Sequence, residues 1–180
     1  LDVEDNRLTS LPESIHSLCE LRLLNLNSNR FSSFPSANSR ITKLNSLFIS
    51  RNSFTAVPKF VQYNKALRDF RLSANPLQSI PDWIGRLRDL QILEIANNSL
   101  SSLPSSLAEL TSLRELYLGD NSSIDLSELH NRFFELPDVV RSLCSVQIIW
   151  ANFCSLHSLP DWISELKSLE SLNLESNRLS

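Results

Sequence analysis

Asparagine returns along this chain at a fixed interval. Asn6, Asn29, Asn52, Asn75, Asn98 and Asn121 are each 23 residues apart. Apolar residues keep the same frame. Five and three residues before each asparagine stand Leu1/Val3, Leu24/Leu26, Leu47/Ile49, Phe70/Leu72, Leu93/Ile95 and Leu116/Leu118. Eight before come Leu21, Leu44, Leu67, Leu90 and Leu113. Five and six after come Leu11-Pro12, Phe34-Pro35, Val57-Pro58, Ile80-Pro81 and Leu103-Pro104. The frame resumes at Leu159-Pro160, which puts Cys154 in the asparagine column and Asn177 23 residues beyond it. A unit this short cannot bury its own leucines, so successive units must stack into one continuous core.

Within each unit the leucines before the asparagine alternate with polar residues, which predicts a strand with one buried face and one free face. The proline that follows cannot continue a sheet ladder and turns the chain onto a return path. Seventeen residues separate that proline from the next asparagine, enough for one short turn or helix before the next strand. The combined pattern, LxxLxLxxN/CxL followed by LPxxIxxL as in Leu159-Pro160-Asp161-Trp162-Ile163-Ser164-Glu165-Leu166, resembles the leucine-rich repeat family over essentially the whole chain. Its form is similar to the 23-residue repeats of intracellular signalling scaffolds and bacterial effectors. The resemblance implies an α/β solenoid wound as a right-handed superhelix. It would carry a parallel concave sheet of about eight strands and short 3₁₀ or helical turns on the convex side. Residues 1–180 are expected to form a single repeat domain, uncapped at both ends and part of a longer chain.

The column residues Asn6, Asn29, Asn52, Asn75, Asn98, Asn121, Cys154 and Asn177 are expected to be a structural ladder, since a side-chain amide at a tight turn can bond otherwise unpaired backbone groups. Cysteine fits the same place as a small, weak donor. Cys19 and Cys144 each lie ten residues before a ladder position, so they are expected in equivalent outer segments as reduced, buried thiols. Asn121-Ser122-Ser123 and Asn97-Asn98-Ser99 match the glycosylation sequon. A glycan on a buried ladder Asn121 would conflict with the fold, which favours a cytosolic setting. Leu136-Pro137 comes 15 residues after Asn121 instead of five, so residues 122–135 read as an insertion. Asp125 and Glu128 there resemble a capping box, and Leu126, Leu129 and Phe133 share a helical face, predicting one inserted short helix. Phe133 and Phe134 are costly to leave in water and are candidate contacts for a partner. Asn38 and Asn64 stand where the outer face expects apolar residues, which predicts looser packing there. Trp83 and Trp162, in matching Pro-Asp-Trp-Ile segments, are expected to pack between turns.

Catalytic constellations are absent from the sequence. His16, His130 and His157 are scattered outside any metal-ligand spacing, and with only Gly85 and Gly119 no phosphate-cradling or nucleophile-elbow motif can occur. The expectation is therefore no enzyme, no cofactor and no metal. A net charge of −3 argues against a nucleic-acid partner. The lack of any ~20-residue apolar run argues against a membrane-spanning one. Binding is the stronger reading. Four and two residues before each ladder position, outward-pointing side chains are expected on the concave sheet. There Phe48, Tyr117 and Trp150 occupy the outward column with Arg71 and Glu94 between Phe48 and Tyr117, and Phe153 follows Trp150. Aromatic residues and arginine are the types enriched at interface hot spots. Gly119 beside Tyr117 reads as room for a partner's side chain. The resulting expectation is a non-catalytic protein–protein interaction module, cytoplasmic or in a host cytosol if secreted as an effector. Its partner's identity and its oligomeric state are left open. A sensory or regulatory region of a longer enzyme, and a self-assembling solenoid, are the alternatives.

Overall fold

In the computed structural model, which describes residues 1–35, 40–119 and 130–180, the 23-residue period becomes a stack of strands. β1 (Leu23–Asn25), β2 (Ser46–Phe48), β3 (Asp69–Arg71), β4 (Ile92–Glu94), β5 (Glu115–Tyr117), β6 (Ile148–Trp150) and β7 (Ser171–Asn173) form one sheet in chain order. All neighbours are parallel. The expected eighth strand at the N-terminal side is a single bridge, Asp2 to Asn25. Middle residues pair in one row: Leu24, Leu47, Phe70, Leu93, Leu116, Ile149 and Leu172. All but Leu172 are fully buried, because alternate residues of a strand face opposite sides and the inner side meets the core.

Behind the sheet the chain returns through five-residue 3₁₀ turns at Glu13–Ser17, Lys59–Tyr63, Asp82–Arg86, Ser105–Glu109, Asp138–Ser142 and Asp161–Glu165. A proline precedes each of them. Its carbonyl accepts the first turn bond, as from Ile84 N–H to Pro81 at 3.0 Å, while its fixed φ directs the chain into the turn. Trp83 and Trp162 lie in these turns and pack against the core, and the Trp162 indole N–H donates to Asp138 at 3.3 Å. Asn64 overturns the expectation of a loose outer face. It replaces an apolar residue, yet it is 1% exposed. Its amide donates to the Ile41 and Phe60 carbonyls and accepts from Leu44 N–H. A buried amide with every group bonded tightens the turn. Asn38 lies outside the described residues.

The ladder asparagines tie consecutive turns together. Asn75 Nδ2 donates to the carbonyls of Leu72 and Ser73 in its own unit and to Ile49 in the preceding one. Its Oδ1 accepts from Phe54 N–H at 3.0 Å. Asn29, Asn52, Asn98 and Asn177 repeat the pattern. Asn6, at the sheet end, donates only to Val3 and Glu4. Asn131, not Asn121, makes the ladder bonds of the interrupted unit. It donates to Ile95 at 2.8 Å and Leu118 at 2.7 Å and accepts from Leu100 N–H. The frame therefore restarts at Asn131, and Phe133 falls two residues after it, in the column of Phe31 and Phe54. Phe133 is 1% exposed and part of the core. Both the placement of the insertion at 122–135 and the exposure of Phe133 are corrected by this shift: the extra residues fall between Leu118 and Asn131. Asn121, Asp125, Leu126, Glu128, Leu129 and the inserted helix lie outside the described residues. The argument against glycosylation of Asn121 rested on its ladder role and falls with it.

One residue before each regular ladder position the backbone is left-handed: Asp5, Ser28, Arg51, Ala74, Asn97, Phe153 and Ser176 have φ between 50 and 57°. None is glycine, so each such turn carries strain of order 1 kcal/mol. Among the described residues only the Cys154 unit has a second one, Ser155 at φ 64°. A thiol offers a weak donor, which reaches the Leu118 carbonyl at 3.4 Å, but it does not replace the amide oxygen as an acceptor. The Cys154 main-chain carbonyl instead accepts from Phe133 N–H at 3.0 Å, and the extra left-handed residue turns that carbonyl to its new task. Burial pushes the Cys154 thiol up to about 12. Cys19 and Cys144, expected to be buried, are exposed, and all three cysteines are unpaired.

Two measurements check this account. Asn75→Ala should destabilise the protein by about 2–4 kcal/mol in urea unfolding. The neighbouring asparagines still serve the Ile49 and Leu72 carbonyls, but the buried Phe54 N–H loses its acceptor. A loss below ~0.5 kcal/mol would refute the ladder. Alkylation of the native protein at neutral pH should modify Cys19 and Cys144 rapidly, with Cys154 reacting only on unfolding, because its thiolate does not form in the core. Peptide mapping by mass spectrometry reads this out.

Candidate functional site

Each strand of the sheet places its first and third residues on the concave face and its second in the core; β2 to β6 all show this alternation. Parallel pairing without slippage aligns the third residues as a row: Asn25, Phe48, Arg71, Glu94, Tyr117, Trp150 and Asn173. The five expected contact residues Phe48, Arg71, Glu94, Tyr117 and Trp150 are thus consecutive neighbours, about 4.8 Å apart along the sheet. A second row, not foreseen from the sequence, is formed by the first residues and includes Asp69, Ile92, Glu115 and Ile148. The signal was available, since an outward strand position recurs every second residue.

The two rows interlock. The Arg71 guanidinium makes a two-pronged ion pair with Asp69, 2.9 Å from Nε to Oδ1 and 3.0 Å from Nη2 to Oδ2. Its Nη1 lies 3.8 Å from Glu94. The same guanidinium carbon sits 5.2 Å from the centre of the Phe48 ring, within cation–π range. Hydrogen bonding from Asp69 raises the Arg71 pKa further, so it is a fixed cation. Tyr117 donates to Glu115 at 2.8 Å and meets Trp150 edge to face, with ring centres 5.3 Å apart and planes at 75°. Arg71, Glu94, Tyr117 and Trp150 together line a recess of about 210 Å³. Burial, then the bond to Glu115, push the Tyr117 phenol up to about 12.

The positions two before the ladder do not belong to the free face. Ser50, Ser73, Ala96 and Asn152 are buried. Asn27 Oδ1 accepts from Ser50 N–H, and Ser50 Oγ from Ser73 N–H, so these side chains stitch one unit to the next. Gly119 leaves no room for a partner: a Cβ there would lie 1.7 Å from the Asn152 carbonyl oxygen. Its lack of a side chain lets the two backbones touch. The remaining candidates mark the sheet's exit edge. Phe153 is 37% exposed and stacks with His130 at 6.2 Å, and Phe134 is 74% exposed and lies flat on His157 at 4.3 Å. His16 pairs with Glu13 and meets the Phe34 ring. Among the described residues no group of three His, Cys, Asp or Glu is arranged to hold a metal ion. Nor is any helix among them long and apolar enough to cross a membrane.

Stacked strands, proline-led turns and an asparagine ladder define a repeat solenoid that presents a continuous outward face. The leucine-rich repeat family model matches residues 65–122. A solved leucine-rich repeat protein from Leptospira interrogans superposes with a TM-score of 0.88 at 32% identity. The alignment covers 100% of this chain and 43% of that one. The chain is a leucine-rich repeat protein. It spans less than half the length of that solved relative. Among curated proteins no sequence matches it. Matching solved chains number 284, so the fold is too widely shared to select one function, and the argument passes to the face itself.

Tyr117 supplies a direct check on the geometry. Its phenol is neutral in the folded state to a higher pH than the ordinary value of 10.0. The stability this contributes is fully present below pH 10 and lost as pH rises toward about 12. Ultraviolet titration should show a tyrosinate step near the upper value that Tyr117→Phe removes. A Tyr117 that ionises at its ordinary pKa would mean the Glu115 bond is not formed in solution.

Proposed function

We propose that this chain is a non-catalytic protein-interaction module that holds a folded protein partner against its concave sheet, with the Tyr117–Trp150 pair at the centre of the contact. The observation that carries the reading is the ring pair itself. Two large aromatic side chains lie next to each other on an outward row, flanked by Arg71 and Glu94 and opening on a recess. Residues of these types in a partly enclosed setting are the ones that dominate binding energy when a partner excludes water from them. Phe48 extends the contact along the row, and Phe153 and Phe134 extend it over the exit edge. Repeat proteins of this family commonly serve as protein-binding scaffolds, and service as a signalling scaffold or an effector requires nothing beyond such a face. Three unpaired cysteines, two of them exposed, support a reducing, cytoplasmic setting.

The test is Tyr117→Ala combined with Trp150→Ala, used as bait beside the wild type in affinity capture. Partner capture should be lost, while the urea midpoint shifts little, because neither ring contributes to the core behind the sheet. Capture at wild-type level, or a double variant that unfolds readily, would overturn the concave-face reading.

A further inference from the structure

The outward positions of the strands, with the Asp2 bridge, hold four carboxylates, Asp2, Asp69, Glu94 and Glu115, against one guanidinium, Arg71. The chain as a whole is nearly balanced, with 20 acidic and 17 basic residues. Negative charge is therefore concentrated on the concave face, and basic residues are placed elsewhere. Arg71 offsets part of this charge through two hydrogen bonds to Asp69 and a 3.8 Å contact with Glu94, which leaves the positions around it net negative. Resting on the concave-face reading, we infer that the recess lined by Arg71, Glu94, Tyr117 and Trp150 receives a lysine or arginine side chain from a basic segment of the partner, seated against Glu94 and the aromatic pair, with Arg71 balanced by Asp69.

Three features fit that occupant. An edge-to-face pair leaves at least one ring with both faces clear of its neighbour, and a cation is drawn to an aromatic face, most strongly to tryptophan. Glu94 lies on the recess wall, and Glu115, bonded to the Tyr117 hydroxyl, stands behind it. Together they supply the carboxylates that a desolvated cation needs. The volume of about 210 Å³ is below the ~300–1,000 Å³ typical of small-molecule clefts, and it suits one inserted side chain. The carboxylates Asp69, Glu94 and Glu115 clustered at the recess would then draw a basic segment toward it, an attraction that salt screens.

The chain's own tryptophans make the test internal. Trp150 is on the concave side, whereas Trp83 and Trp162 sit in the convex 3₁₀ turns. The nitrogen-15-labelled protein would be titrated with an octapeptide of alternating lysine and glycine, and with the same peptide carrying glutamate for lysine. The Trp150 indole N–H signal should shift saturably with the lysine peptide alone, while Trp83 and Trp162 stay put. Glu94→Gln with Glu115→Gln, or salt raised to about 0.5 M, should weaken binding tenfold or more. An equal shift with the glutamate peptide, a shift at Trp83 or Trp162, or no saturable shift at Trp150 would each overturn the inference. If the lysine peptide leaves Trp150 unmoved while the Tyr117 and Trp150 alanine pair still loses its protein partner, the cation inference fails and the concave-face reading stands.

Discussion

The carboxamide of the ladder asparagine is the contact on which the rest of this molecule depends. From Val3 to Ile95, each carbonyl three residues before a ladder position accepts from two consecutive ladder asparagines. Leu26 takes Asn29 and Asn52, Ile49 takes Asn52 and Asn75, and Leu72 takes Asn75 and Asn98. A zigzag of buried bonds thus runs along the stack and fixes the offset between neighbours. With the offset fixed, the strands cannot slip, and every outward side chain meets its counterpart in the next unit. A one-residue slip would send Phe48 or Trp150 into the core and Leu47 or Ile149 into water. The recurrent left-handed residue before each ladder position is the conformational cost of this arrangement, and the shared bonds offset it.

Where the ladder changes chemistry, the backbone changes with it. Cysteine at 154 keeps the donor, weakly, and loses the acceptor, and the chain answers with Ser155 in a second left-handed conformation and a main-chain carbonyl turned toward Phe133. The same unit abuts the extra residues between Leu118 and Asn131 in sequence frame and carries Phe153 and Phe134 outward. Among the described residues, the added left-handed backbone at Ser155 and the exposed rings of Phe153 and Phe134 thus gather beside Cys154, Phe134 lying on His157. Strain and bulk gathered at one place on an otherwise periodic scaffold are the usual mark of a site shaped for something other than stability.

The period, the strand direction, the 3₁₀ returns and the in-register outward row were all legible in the sequence, because each follows from spacing alone. The errors came where one residue type could occupy two roles. Asn121 continued the 23-residue count, but Ser123 follows it where the ladder wants an apolar residue, whereas Asn131 is followed by Phe133 and then by Leu136-Pro137. Weighing those flanking columns above the unbroken count would have found the true frame. Gly119 was read for the space it leaves, but the approach of the Asn152 backbone is a long-range fact that local pattern does not carry. Burial of Ser50 and Ser73 was missed for a related reason. The Ser50 hydroxyl accepts from the Ser73 N–H of the next unit, and the Ser73 hydroxyl is buried without a partner, so polarity there marks a joint between repeats and not a wetted surface.

What makes the concave face suited to binding is that its ordering precedes the partner. A side chain rich in rotamers loses roughly 0.5–1.5 kcal/mol when an interface immobilises it. Arg71 is already held by Asp69 and Phe48, and Tyr117 by Glu115 and Trp150. The entropy of aligning these groups is lost on folding, so more of the contact energy is left for association. The same bonds also limit what the face can accept. Arg71 can turn to a partner's acid only by breaking its pair with Asp69, whereas a cation on the proposed reading would join Glu94 and the aromatic pair beside the Arg71 contact. On the proposed reading, selectivity for a basic partner would follow from which groups the fold has already used, more than from which groups it displays.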